Sequence, residues 1–137
     1  MCGIAGFWNG KPNQIPQALN QVAEGMADTL AHRGPDGSGT WSNPDAGVAL
    51  AHRRLSIIDL GPAGAQPMVS ASGRFVITYN GEIYNHYHLR KRLDNMREAP
   101  EWRGHSDTEV LLAGIETWGL QETLQKARGM FAFALWD

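Results

Sequence analysis

The chain has 137 residues, and its twelve Lys and Arg against fourteen Asp and Glu give a formal net charge of −2. Such a balance gives no general attraction to nucleic acid or to an anionic membrane, and 42% apolar residues are typical of one soluble domain. No apolar run approaches the roughly 20 residues of a spanning helix, and no secretory signal opens the chain. A single cysteine cannot form an internal disulfide, so a reducing, cytoplasmic compartment is expected.

The first half of the chain alternates short apolar segments with loops. Residues 2–8 form an apolar segment that ends at an Asn-Gly turn. A helix follows, and its spacing predicts one buried face made of Ile15, Leu19, Val22, Met26 and Leu30. The Gly- and Pro-rich segments HRGPDGSG (32–39) and GPAGAQP (61–67) predict loops, and segments 47–51 and 55–60 between them predict buried strands.

The second half predicts two further strands and several helices. RFVITYN (74–80) is a strand that Gly81 is expected to break. A short helix carries Leu89, Leu93 and Met96. Ser106 and Glu109 form a capping box for the next helix, which Gly119 ends, and a further short helix covers 120–127. The chain closes on the strand pattern MFAFALWD (130–137), so the coarse prediction is an α+β domain.

The last strand indicates that the domain is incomplete at its C-terminus. An apolar strand at the very end of a chain would leave an open sheet edge. We therefore expect residues 1–137 to be part of a longer fold.

Cys2 is the first candidate for chemistry. If Met1 is removed, its thiol and the free α-amine belong to one residue, with pKa values near ~8.5 and ~7.7–8.0. The amine can then accept the thiol proton and later protonate a leaving amine, without a histidine. The alternative is a small buried apolar residue that happens to follow Met1.

Asn80 and Gly81 allow two interpretations. Asn-Gly between apolar runs is the commonest two-residue hairpin signal. Alternatively, the Asn80 side-chain amide and the Gly81 N–H are two donors for an oxyanion.

Arg54 and Asp107 would suit the two charges of a free amino acid. An arginine matches an α-carboxylate with its guanidinium fork, and an aspartate accepts from an α-ammonium. The alternative for Asp107 is an ordinary favourable charge in the first turn of a helix. The five histidines form no recognisable metal signature, and no phosphate-binding glycine motif is present.

The motifs taken together resemble a known family over essentially the whole chain. In order they are MCGIAG, HRGPDG, AHRRLSIIDL, GAQPM, YNGEIYN, HSDTE and GMFAFALWD. Their order and spacing resemble the glutaminase domain of asparagine synthetase B-type enzymes, which are class II glutamine amidotransferases among the N-terminal-nucleophile hydrolases. The resemblance implies a four-layer αββα sandwich with antiparallel sheets.

The resemblance also implies a role for each matching residue. Cys2 would be the nucleophile and its α-amine the base, and Asn80 and Gly81 the oxyanion donors. Arg54 would hold the glutamine α-carboxylate, and Asp107 the α-ammonium. The remaining pocket residues would be Leu55, Ser56, Ile57, Ile58 and Glu82.

The implied function is hydrolysis of the glutamine side-chain amide to glutamate and ammonia. A synthetase domain in the same chain, using ATP and Mg²⁺, would consume the ammonia in asparagine biosynthesis or a similar amidation. The glutaminase half needs no metal or cofactor, and a homodimer is left open. The alternatives are a non-catalytic fragment that binds glutamine weakly or self-associates through its open edge, and a different N-terminal-nucleophile hydrolase such as an acylase.

Overall fold

The computed structural model describes residues 2–10, 12–56, 61–96 and 99–137. Within these ranges the chain forms six strands, four α-helices and a 3₁₀ turn at Pro62–Gly64. The strands are β1 (Gly3–Trp8), β2 (Gly37–Asn43), β3 (Val48–Arg54), β4 (Met68–Val69), β5 (Val76–Ile83) and β6 (Gly129–Trp136). The helices are α1 (Pro16–Asp28), α2 (His86–Met96), α3 (Asp107–Trp118) and α4 (Leu120–Lys126).

Two antiparallel sheets form the centre of the fold. The first has the strand order β1-β3-β2 and the second β4-β5-β6. Helix α1 packs on the first sheet and α3 on the second, with α2 beside α3, while β5 contacts β1 and β3 across the interface between the sheets. The resulting order of layers is helix, sheet, sheet, helix, so the αββα architecture and the α+β class are confirmed.

The buried face of α1 differs from the one that the spacing predicted. Its buried residues recur every fourth position: Leu19, Ala23 and Ala27. Ile15 and Val22 are 67% and 55% exposed. The alanines allow the helix to lie close to Ala49 and Ala51 of β3, with which they share one core cluster, because small side chains shorten the distance between packed elements.

The region between α1 and β3 also contains an unpredicted strand. β2 begins at Gly37 and therefore takes up the end of the loop predicted over 32–39. A Cβ on Gly39 would lie 2.2 Å from the carbonyl oxygen of Gln66, so this strand position requires glycine. β3 continues to Arg54, so Arg54 lies at the end of a strand. Residues 57–60 of the other predicted strand lie outside the described residues.

β5 does not end at Gly81. The strand continues to Ile83 and pairs along its whole length with β6, with Gly81 opposite Phe131. A Cβ on Gly81 would lie 2.4 Å from the Met130 carbonyl oxygen, so the close approach of β6 explains the glycine. The hairpin interpretation of Asn80-Gly81 was therefore wrong.

The helices of the second half form much as predicted. Leu89 and Leu93 of α2 are buried, although Met96 is 48% exposed. The Ser106 hydroxyl caps α3 by accepting from the Glu109 N–H, and Gly119, at φ 81°, ends the helix. β6 forms as predicted and is an edge strand of the described sheet.

Candidate active site

A cavity of about 210 Å³ is lined by residues from both sheets and from the start of α3. Every described residue that the sequence analysis assigned to the site lines it: Cys2, Arg54, Leu55, Ser56, Asn80, Gly81, Glu82 and Asp107. Ile57 and Ile58, also predicted for the pocket, lie outside the described residues, as does Met1.

Cys2 is half-buried directly before β1 and is held by two neighbouring loops. Its Sγ lies 3.4 Å from the Leu55 backbone nitrogen, which donates to it, and 3.6 Å from the Leu55 carbonyl oxygen, to which the thiol can donate. The Arg33 Nε donates to the Cys2 carbonyl at 3.1 Å. The next backbone N–H after Leu55, that of Ser56, donates to Asp36 at 2.8 Å. The HRGPDG loop therefore fixes both the cysteine and the segment that contacts its sulfur.

Arg54 lies at the end of β3, where the strand enters the cavity wall. Side chains alternate along a strand, and Ala49 and Ala51 face α1. His52 and Arg54 therefore lie on the opposite face, toward the second sheet. The Arg54 Nη1 donates to the Gly61 carbonyl at 2.9 Å, which fixes the direction of its guanidinium group.

One edge of β5 faces the cavity because its partner strand is short. β4 pairs with Val76 and Ile77 alone. Further along, the Tyr79 N–H donates to the Gln66 side chain at 2.6 Å, and the Ile83 N–H donates to Asp107 at 2.9 Å. Backbone groups two residues apart point to the same side of a strand, so the N–H of Gly81 is directed to this edge, between those two positions.

The Asn80 side chain lies on the face of β5 that is turned toward the first sheet. Thr78, two residues earlier, bonds through its hydroxyl to the Ala51 carbonyl across the sheet interface at 3.0 Å. Since side chains two apart share a face, the Asn80 amide lies on the side from which Cys2 lines the cavity. A thiol, a side-chain amide and a backbone N–H are thus brought to one cavity.

Asp107 is buried and already carries two structural hydrogen bonds. Its Oδ2 accepts from the Tyr79 hydroxyl and from the Ile83 N–H, each at 2.9 Å. Burial and the negative charge of Asp107 raise the pKa of Tyr79, so its hydroxyl remains a donor. Asp107 therefore ties the start of α3 to β5, besides lining the cavity.

Comparison with known proteins places the chain in a family. The family model described as "Glutamine amidotransferase domain" matches residues 1–137. The chain belongs to this family. Its fold is also found in a solved structure of glutamine phosphoribosylpyrophosphate amidotransferase from B. subtilis, with a TM-score of 0.74 over 97% of this chain and 34% of that one, at 21% identity. The fold is that of the N-terminal-nucleophile hydrolases.

Curated relatives of this glutamine amidotransferase domain are several times longer. Asparagine synthetase B [glutamine-hydrolyzing] of Escherichia coli is 40% identical over 137 residues, which are 100% of this chain and 23% of that protein. A putative asparagine synthetase [glutamine-hydrolyzing] of Mycobacterium tuberculosis is 40% identical over 147 residues, covering 100% and 22%. The amidase chry2 of Gibberella zeae is 38% identical over 146 residues, covering 100% and 21%. The chain thus spans about a fifth of these relatives.

The glutamine amidotransferase domain also has cavity residues that the sequence analysis did not single out. His52, Gln66 and Tyr79 line the cavity and are joined by hydrogen bonds. His52 and Gln66 stand inside the quoted motifs AHRRLSIIDL and GAQPM, which was the available signal. Their hydrogen bonds to Tyr79 depend on where β4 begins, and no local pattern in the sequence reveals that.

The loop before α3 is fixed by polar contacts of its own. The Arg90 guanidinium lies 4.2 Å from the Trp102 ring centroid and donates to the Gly104 carbonyl. The Arg103 and Gly104 N–H groups donate to Glu109, so the Glu109 carboxylate also binds the backbone just before Ser106. These contacts fix the approach of the chain to Asp107.

The described residues contain no group of three or more His, Cys, Asp or Glu side chains that could hold a metal ion. Within the same ranges no helix has the length and apolarity needed to cross a membrane.

Proposed function

We propose that this domain hydrolyses the side-chain amide of L-glutamine through a thioester on Cys2. Removal of Met1 frees the α-amine of Cys2, which takes the thiol proton. Arg54 holds the substrate α-carboxylate and Asp107 its α-ammonium. Leu55 to Ile58 and Glu82 complete the pocket.

The proposed reaction proceeds in two halves. The Cys2 sulfur attacks the amide carbon, and Asn80 and Gly81 donate to the resulting oxyanion. The C–N bond breaks, ammonia leaves with the proton held by the α-ammonium of Cys2, and a γ-glutamyl thioester remains. Water, deprotonated by the same amine, attacks the thioester and releases glutamate and the thiol. No metal or cofactor takes part.

The observation that carries this proposal is the convergence of the thiol and two kinds of oxyanion donor. Cys2, the Asn80 amide and the Gly81 edge of β5 line one cavity, although they are about 80 residues apart in the chain. Arg54 and Asp107 add opposite charges to the same wall, as a free α-amino acid requires.

The product ammonia would be used by a further domain. Several relatives are named as glutamine-hydrolysing asparagine synthetases and one as an amidase, so the acceptor is aspartate or another activated carboxylate. ATP and Mg²⁺ would belong to that second reaction, in a cytoplasmic enzyme.

The first test is the intact mass of the purified protein after incubation with 6-diazo-5-oxo-L-norleucine, a glutamine analogue that alkylates the attacking thiol. We expect a chain without Met1 and a single adduct. The matched Cys2→Ala variant should stay unmodified and release no ammonia from glutamine. A folded protein that keeps Met1, or whose Cys2 remains unmodified, contradicts the proposal and favours the non-catalytic alternative that self-associates through β6.

A second test distinguishes a glutaminase from an acylase. An analogue of glutamine that lacks the α-amine offers Asp107 no ammonium group. We expect kcat/KM for ammonia release from it to fall by at least ~10²-fold relative to glutamine, because the buried carboxylate then loses its ion pair with the substrate. Equal rates on the two compounds would favour an acylase.

A further inference from the structure

His52 is the residue of the cavity wall whose presence the proposed reaction does not explain. It is 1% exposed, lies on the same face of β3 as Arg54, and extends to the second sheet. Its Nε2 lies 3.0 Å from the Tyr79 carbonyl oxygen. Because a carbonyl oxygen can only accept, Nε2 carries the hydrogen and donates.

The surroundings of the second ring nitrogen, Nδ1, favour the neutral form of His52. Nδ1 is buried and has no hydrogen-bond partner within the described part of the chain. Burial lowers the pKa of His52 to about 4. The ring is therefore neutral at physiological pH, with one defined tautomer and one defined donor.

The carbonyl that His52 contacts belongs to the peptide unit that leads into Asn80. The Tyr79 C=O and the Asn80 N–H share one rigid plane. On this side of β5 the pairing with β4 ends at Ile77. His52 and Gln66 supply, from side chains, the hydrogen bonds that a longer β4 would have made to Tyr79.

We propose that His52 is a positioning residue for the oxyanion donors: its Nε2–H fixes the Tyr79–Asn80 peptide plane and thereby aims the Asn80 amide and the Gly81 N–H at the substrate carbonyl. This inference rests on the proposed glutaminase function. On its other side this segment is held by pairing with β6, so loss of the His52 donor lets the plane tilt about that pairing, and both donors shift from the position where the oxyanion forms. Displacements of about 1 Å at such a site cost on the order of 10²-fold in rate.

The role of His52 predicts a loss confined to the transition state. Oxyanion donors act on charge that develops during reaction, so kcat should fall while ground-state binding of glutamine stays the same. A histidine that merely filled the core would change the melting temperature without a selective effect on kcat.

The experiment compares two amide variants in the natural full-length protein. The side-chain nitrogen of Gln reaches the position of Nε2, whereas that of Asn reaches only the position of Nδ1. We expect His52→Gln to keep kcat within about 3-fold of the wild type. We expect His52→Asn to lose ~10–100-fold in kcat, with KM and the inhibition constant of glutamate unchanged within about 3-fold.

The outcomes separate this inference from the function on which it rests. Wild-type protein that releases no ammonia, like its Cys2→Ala control, overturns both. If the wild type is active but the two variants His52→Gln and His52→Asn have equal kcat, either both high or both low, the role of His52 is overturned and the glutaminase function stands. A His52→Asn variant whose KM and glutamate inhibition constant rise in proportion to its loss of kcat also overturns that role. Melting temperatures of both variants establish that each is folded under the assay conditions.

Discussion

Tyr79 is the residue at which the hydrogen bonds of the site meet. Its N–H donates to Gln66, its carbonyl accepts from His52, and its hydroxyl donates to Asp107. Each of these partners lines the cavity. One buried residue therefore connects β3 and the turn before β4 through its backbone, and the start of α3 through its hydroxyl.

The Tyr79→Phe variant isolates the hydroxyl. It leaves the ring in the core but removes a buried donor to a carboxylate, and we expect the free energy of unfolding to fall by about 2 kcal/mol. Urea denaturation monitored by circular dichroism measures this difference. Tyr87→Phe is the matched control, since Tyr87 is 68% exposed and should change stability by less than about 0.5 kcal/mol. Equal effects of the two variants would show that the Tyr79–Asp107 bond contributes little.

The burial of His52 predicts a pH dependence of stability. In the unfolded chain its pKa is near 6.5, and burial lowers the folded-state pKa to about 4. Between these pH values the unfolded state binds more protons, so stability falls as the pH falls through this window. From these two pKa values, going from pH 7 to pH 5 should cost about 2 kcal/mol through His52.

The His52→Gln variant provides the reference for that titration. Other groups titrate over the same range in both proteins, so the difference between the two unfolding curves isolates His52. We expect the wild type to lose about 2 kcal/mol more than His52→Gln between pH 7 and pH 5. Parallel curves would mean that the His52 ring gains a proton in the folded state at an ordinary pKa.

At the scale of elements, glycines mark the places where strands approach other backbone. Gly39 of β2 lies against the Gln66 carbonyl, with no room for a Cβ. Gln66 in turn accepts from the Tyr79 N–H. The packing of β2 is therefore coupled to the cavity through one residue.

Two glycine substitutions should have opposite signs. Gly39→Ala places a methyl group 2.2 Å from the Gln66 oxygen and should destabilise the fold by roughly 1–3 kcal/mol through overpacking. Gly25→Ala lies in the interior of α1 with nothing within 4 Å of the new Cβ. It should stabilise the fold by up to about 1 kcal/mol, because alanine is the better helix former. Thermal unfolding of both variants tests the pair, and a loss of stability in Gly25→Ala would contradict the open surroundings of that residue.

The same elements show what the sequence could and could not predict. The periodic Leu89 and Leu93 and the cap at Ser106 identify their helices because those signals are local. β2 has no such signal, since GSGTWSN lacks an apolar alternation and becomes a strand only by pairing with β3. Gly81 shows the opposite error, because the sequence suggests that it breaks a strand although it lies inside one. The glycine is required by the close approach of β6, which is about 50 residues away in the chain.

The site also contains residues that the sequence could indicate and residues that it could not. Cys2, Asn80, Arg54 and Asp107 were candidates from their residue types and from the motifs of the resemblance, and the described structure brings them to one cavity. His52 and Gln66 were not, because their hydrogen bonds take the place of pairing with a strand that begins only at Met68.

At the scale of the whole molecule, the two halves of the sandwich have unequal cores. The cluster between the second sheet and α2 and α3 contains mostly large side chains, among them Ile77, Ile83, Leu93 and Leu111. In the described residues the cluster beneath α1 consists of Leu19 and four alanines: Ala23, Ala27, Ala49 and Ala51. Alanine buries far less apolar area than leucine or isoleucine, so α1 is held to its sheet by a smaller hydrophobic contribution.

This inequality predicts that α1 opens before the rest of the fold. Amide hydrogens of α3 should exchange with deuterium only through global unfolding, whereas those of α1 should exchange through a local opening of lower free energy. Hydrogen exchange at increasing urea concentration distinguishes the two routes, because only global opening depends steeply on urea.

Ala23→Leu is not a useful control for this experiment, since it would overpack the contact with β3. Met26→Leu, at a partly exposed position of α1, changes helix propensity little and should leave the order unchanged. Equal protection of α1 and α3 would show that the alanine contacts are as stable as the larger core, and that the sandwich unfolds as one unit.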